Sequence, residues 1–118
     1  HARIASVFRK LDEASQRHNQ AIGEAAIDRL DSEQEQLLLR ALGRYPEVIE
    51  RAAARHAPHQ LAHFLHELAS LFHTWYNQAQ FLVDDEELRN ARLNLVAAVG
   101  QVLRNGLAII GVSAPEEM

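Results

Sequence analysis

Four histidines, His59, His63, His66 and His73, fall on one face of the helix that Pro58 opens. At 3.6 residues per turn they occupy an arc of about 80°. Ser70 and Asn77 share that face, and leucines and aromatics lie opposite it. Imidazole can bind a metal, titrate, or hydrogen-bond to a nucleic-acid base, so this face admits three readings. In the first it is solvated helix surface, with the neighbouring aromatics in the core. In the second, His59 and His63, at i and i+4, share a metal ion with His66 or Glu67. A tetrahedral site needs ligands that converge, which side chains on one exposed face rarely do. In the third, Phe72, His73, Tyr76 and Asn77 meet an unpaired RNA base. Phe72 and Tyr76 are four residues apart and therefore neighbours. Aromatic rings stack on splayed bases, while Asn and His can read base edges.

Other chemistry is missing. There is no cysteine, which removes disulfides, thiolate metal sites and Cys–His nucleophiles. The glycines are scattered and form no phosphate-binding loop, and no G-x-S-x-G elbow is present. The acidic residues gather at helix starts, where they suit capping better than proton transfer. The net charge of −4 argues against a general nucleic-acid binder. Any RNA contact must therefore be local and shaped. The basic residues are arginines except for Lys10, and arginine suits bidentate phosphate contacts and stacking.

The elements that position these residues are helical. A chain of 118 residues, 47% hydrophobic, fits one domain with one core. Ile4, Val7, Phe8 and Leu11 mark one face of a first helix. His18 to Asp31 reads as a loop or a short helix. Ser32 and Glu35 form a capping-box pattern. It opens a helix carrying Leu38, Leu39 and Leu42, for which Gly43 is a stop signal. Pro46 suits the first turn of another helix, with Val48, Ile49, Ala52 and Ala53 as its stripe. Pro58 starts the histidine-bearing helix, whose apolar face is Leu61, Phe64, Leu65, Leu68, Leu71, Phe72 and Trp75. Asp84 and Asp85 cap the last helix, with Glu86 and Glu87 in its first turn. Leu88, Ala91, Leu95, Val99, Val102 and Leu103 continue it, and Gly111 can end it. No segment alternates with period two, so the fold expected is an all-α bundle. No apolar run approaches the roughly 20 residues that span a bilayer. No signal peptide is visible, and the missing initiator Met suggests a fragment.

Two runs also carry a resemblance. Leu71-Phe72-His73-Thr74-Trp75-Tyr76-Asn77 is similar to a segment of bacterial arginyl-tRNA synthetases. So is Leu88-Arg89-Asn90-Ala91-Arg92-Leu93-Asn94-Leu95, continuing through Val102–Leu107 to the tail. His1-Ala2-Arg3-Ile4 resembles a truncated Tyr-Ala-His-Ala-Arg-Ile stretch of the same family. The likeness covers essentially the whole chain and is weakest from His18 to Asp31.

The resemblance implies a class I synthetase anticodon-binding bundle of the DALR type over residues 1–118, with the catalytic domain absent. It implies recognition of the anticodon loop of arginine tRNA, with Phe72, Tyr76 and Met118 around the splayed bases. His73 and Asn77 fit the same motif. Position and charge add Arg3, Arg89 and Arg92 as phosphate contacts. One departure is Glu117, where the family commonly has Arg or Lys before the terminal Met.

The fragment itself should hold no cofactor or metal and catalyse nothing. It lacks the His-x-Gly-His and Lys-Met-Ser-Lys-Ser-like motifs, so ATP and Mg belong to a parental arginine–tRNA ligase. The expected partners are arginine tRNA and the parent's catalytic domain. The expected setting is cytoplasmic and monomeric, without a membrane. Two alternatives stand beside this: the related helical domain of cysteinyl- or glycyl-tRNA synthetases, and an interaction module with a weak metal site on the histidine face.

Overall fold

The computed structural model describes residues 2–13, 18–55, 57–79 and 83–113. Five α-helices and one 3-10 turn account for most of them, and no strand occurs among the described residues. α1 spans Ala2–Glu13 and buries Ile4, Val7 and Leu11, the predicted face. α2 (Gln20–Ala25) and a 3-10 turn (Ile27–Arg29) occupy the stretch that the sequence leaves ambiguous.

α3 runs unbroken from Glu33 to Ala54. The stop expected at Gly43 and the new start expected at Pro46 are both overturned. A proline inside a helix removes one hydrogen bond and crowds the carbonyl four residues back, at a cost of about 3 kcal/mol. The carbonyl that loses its donor is that of Leu42, which is half-buried, while Gly43, Arg44 and Pro46 around it are exposed. The core stripe meanwhile passes through the site without changing period. Leu38 and Ala41 precede the proline, Tyr45 is half-buried beside it, and Ala52 follows. Tyr45 anchors that passage. Its ring stacks on Phe64 at 5.8 Å, and its hydroxyl donates to Asn105 Oδ1 at 2.5 Å. Burial pushes the Tyr45 phenol above its ordinary pKa, which keeps the donor protonated.

The α3 start follows expectation. Ser32 Oγ accepts from Glu35 N, and Glu35 Oε1 accepts from Ser32 N, each at 3.2 Å. α4 (Pro58–Gln78) places Pro58 in its first turn and buries Leu61, Phe64, Leu65, Leu68, Phe72 and Trp75. Leu71 is half-buried.

α5 (Glu86–Ser113) is the axis of the bundle, packed against α2, α3 and α4 and touching α1. Its buried set is wider than one stripe, with Leu93 and Val96 joining Ala91, Leu95, Val99 and Leu103. A helix surrounded by neighbours is apolar on more than one face. For the same reason Glu86–Gly111 is long and apolar enough to cross a membrane, with a mean hydropathy of 1.5. This corrects the expectation that no such run exists, which arose because Asn94, Gln101, Arg104 and Asn105 interrupt the sequence. In the bundle, 39% of that stretch is buried, among it Leu93, Leu95, Val96, Val99 and Leu103. Close approach fixes the packing at Gly106, where an added Cβ would lie 2.7 Å from Leu65 side-chain atoms.

Candidate nucleic-acid interface

The second half of α4 sorts its residues by depth. Phe72 and Trp75 are core, 5% and 1% exposed. Tyr76 is half-buried, and His73 and Asn77 are exposed. The Phe72 ring meets Trp75 edge-on at 6.0 Å and Tyr76 at 6.1 Å. The aromatic layer thus stiffens inward while Tyr76 reaches the surface. From α1, the Arg3 guanidinium lies 5.7 Å from the Tyr76 ring centroid, within cation–π range. α1 and α4 enclose a groove of about 450 Å³. Arg3, His66, Ser70 and His73 supply polar groups to it, over a floor of Ile4, Phe72 and Leu103. A planar ring could enter such a groove and find both apolar contact and donors.

The structure therefore brings Arg3, Phe72, His73 and Tyr76 together, with Asn77 one residue beyond Tyr76 on the same helix. Phe72 is mostly covered, so Tyr76 is the ring with more surface to offer. Met118 and Glu117 lie outside the described residues.

Arg89 and Arg92 are placed differently. Arg92 Nε donates to Glu35 Oε2 at 3.0 Å, and its side chain is only 18% exposed. Arg89 donates through Nη1 to the Val83 carbonyl at 3.1 Å, and its buried Nε has no hydrogen-bond partner. Both arginines are held within the domain. Of the three arginines expected to meet phosphates, Arg3 is the exposed one.

The network around Arg92 was not read from sequence. Glu35 is 1% exposed and joins three helices. It caps α3 through Ser32 and receives Trp75 Nε1 from α4 at 3.2 Å as well as Arg92 from α5. A second network fixes α2. Asn90, 1% exposed, accepts from Asn19 N at 2.6 Å and donates to the Glu86 carbonyl at 2.9 Å. Asn94 donates to the Gln20 carbonyl at 3.0 Å, and its Oδ1 lies 2.5 Å from His18 Nε2. The i, i+4 spacing of Asn90 and Asn94 was the available signal, since it places two amides on one helix face.

The other histidines of α4 are exposed, as their spacing predicts. His63 Nε2 sits 4.0 Å from Glu67 Oε2, and Arg44 reaches the same carboxylate at 3.2 Å. Among the described residues, no three His, Asp or Glu side chains converge as a metal site would require. At the start of α5, Arg29 pairs with Asp85 at 2.5 Å. That hydrogen bond, followed by the one from Leu88 N, holds the Asp85 carboxyl below its ordinary pKa.

Comparison with known proteins identifies the family. Residues 1–118 match the family described as the DALR anticodon binding domain. The chain is 57% identical over its whole length to the arginine–tRNA ligase of Halorhodospira halophila. It is 55% identical to that of Coxiella burnetii and 51% identical to that of Legionella pneumophila, again over all 118 residues. In each case the chain spans about 20% of the relative's length. No solved structure matches it significantly. Through the family match over its full length, together with an all-α bundle of the expected kind, the chain belongs to the DALR anticodon binding domain family.

Proposed function

We propose that this chain recognises the anticodon loop of arginine tRNA as the C-terminal, non-catalytic domain of a cytoplasmic arginine–tRNA ligase. The observation that carries the reading is the match of all 118 residues to an anticodon-binding family, shared with ligases at 51–57% identity. The half-buried Tyr76 ring beside the exposed Arg3, His73 and Asn77 supports the reading. Bases of the loop unstack, and one rests against Tyr76 and the edge of Phe72. Arg3, His73 and Asn77 stand where they can meet a phosphate or the edge of a base. Met118, outside the described residues, is a further contact that the family resemblance implies.

The chemistry of aminoacylation, with ATP and Mg, belongs to the catalytic domain of the longer polypeptide, the domain's protein partner. This domain acts as a monomeric module that binds RNA and turns over nothing alone. Its contribution to rate is indirect, since binding energy gained at the anticodon positions the distant 3′ end.

The test is binding of the domain to an arginine tRNA anticodon stem-loop and to a variant with its central anticodon base changed, at two salt concentrations. Selective binding that weakens modestly with salt supports base reading. Equal and strongly salt-dependent binding to both loops reduces the interaction to phosphate attraction.

A further inference from the structure

The histidine face of α4 has a use beyond the base site. His63, His66 and His73 stand exposed along a ridge between two grooves. The α1–α4 groove holds Arg3. The α3–α4 groove, about 260 Å³, holds Arg44 and Arg51. We propose that this ridge is a protonation-dependent track for the RNA phosphate backbone, leading away from Tyr76. The proposal rests on the anticodon-binding reading and extends that site along α4 toward His63.

The charges that face the ridge decide its behaviour. Around His63 stand Glu67 on α4 and Arg44, Glu47 and Arg51 on α3. Arg44 is bridged to Glu67 at 3.2 Å and Arg51 to Glu47 at 2.6 Å, so these four groups cancel. Arg3 faces His66 and His73 from α1, and α5 contributes only Leu103 to this groove. With the histidines neutral, Arg3 is, among the described residues that line the two grooves, the positive charge outside these two ion pairs. Histidine is the side chain whose charge changes between pH 5 and 8. Protonation of the three would turn a nearly neutral ridge into a line of cations. From His63 to His73 the helix rises about 15 Å, enough for several phosphates of one strand. A metal would need converging ligands, which this face does not assemble. A phosphate backbone needs a line of donors, which it does.

The salt dependence of stem-loop binding at about pH 6 and pH 8 tests this. Each phosphate newly met steepens the log–log salt slope by about 0.7, so between 50 and 200 mM salt each contact adds a further loss of about 2.6-fold. The expected result is tighter binding and a steeper slope at the lower pH. The double variant His63→Gln/His66→Gln should lose most of both changes, and His63→Gln alone, which lies outside the α1–α4 groove, should lose part of them, each keeping its preference for the cognate anticodon. Both positions are exposed, and circular dichroism checks that the variant folds. A slope independent of pH, a pH gain that survives the double variant undiminished, or no binding at the lower pH would each overturn the track. Tyr76→Ala separates the two readings. If it leaves base preference intact while the pH-dependent slope remains, base reading at Tyr76 fails and the track stands.

Discussion

The two runs that resemble the synthetase family use the same kinds of residue in opposite directions. In α4, the run from Leu71 to Asn77 sends Phe72 and Trp75 into the core and leaves His73 and Asn77 in solvent. In α5, the run from Leu88 to Leu95 turns its polar side chains inward. Asn90 is buried, Arg92 reaches Glu35, and Arg89 and Asn94 bind backbone carbonyls. Asparagine and arginine in a recognisable motif therefore do not by themselves mark an RNA contact. What separates the runs is position in the bundle. α5 is surrounded, so its polar groups must find protein partners. One face of α4 is open, so its polar groups remain available.

The inward run should govern stability. The largest effect is expected for Glu35→Ala, which removes the carboxylate shared by Ser32, Trp75 and Arg92. Breaking a buried pair from one side costs about 3–5 kcal/mol. Urea unfolding would show a lower midpoint, and an unchanged midpoint would break the assignment of this network as the junction of α3, α4 and α5. Asn90→Ala comes next. It leaves the Asn19 N–H without its acceptor and frees the Glu86 carbonyl, at about 1–3 kcal/mol. Hydrogen exchange should quicken first across α2, because Asn90 and Asn94 supply side-chain hydrogen bonds from α5 to Asn19 and Gln20 at its start.

The outward run should govern binding. Tyr76→Ala is expected to weaken stem-loop affinity by about 1–3 kcal/mol, the worth of one stacked base. A folded variant with unchanged affinity would remove Tyr76 from the interface and leave α4 as ordinary surface. Read together, Glu35→Ala and Tyr76→Ala sharpen the comparison. The first should change the unfolding midpoint far more than the second.

The legibility of the molecule follows the same division. The faces of α1 and α4, the Ser32–Glu35 capping box and the exposed histidines rest on local periodicity, and local periodicity is written along the chain. α3 misled because Gly43 and Pro46 imitate a stop and a start. The unbroken stripe from Leu38 to Ala52 was the stronger signal, since packing overrides propensity when the cost falls on the solvent side. Glu35 and Arg92 were beyond reach for another reason. They lie 57 residues apart, and nothing local tells an acid at the third position of a helix that it will also receive a distant guanidinium. α2 was the faintest element because its partners, Asn90 and Asn94, lie over 70 residues away. At the candidate site, Tyr76, His73 and Asn77 were legible from spacing and resemblance. That Arg3 sits against the Tyr76 ring required the packing of α1 on the bundle.

The smallest expected effect lies at the start of α5, where local and distant signals meet. Asp85 was predicted as a cap from sequence, and its Oδ1 does accept from Leu88 N at 3.3 Å. Its ion pair with Arg29, 56 residues away, was not predicted. Both favour the ionised form, so the folded-state pKa lies below the unfolded value. A depressed carboxyl contributes stability above its unfolded pKa, near 3.9, and loses it as pH falls through the folded value. The wild-type domain should therefore lose some stability on acidification below about pH 4 that Asp85→Asn does not lose, starting from a slightly weaker neutral state. The pair is exposed, so salt should shrink the difference. Identical acid profiles for the two proteins would show that the ion pair adds nothing measurable. Attachment of the 3-10 turn to α5 would then rest on apolar packing around Leu30, and charge at a helix start in this bundle would serve solubility more than structure.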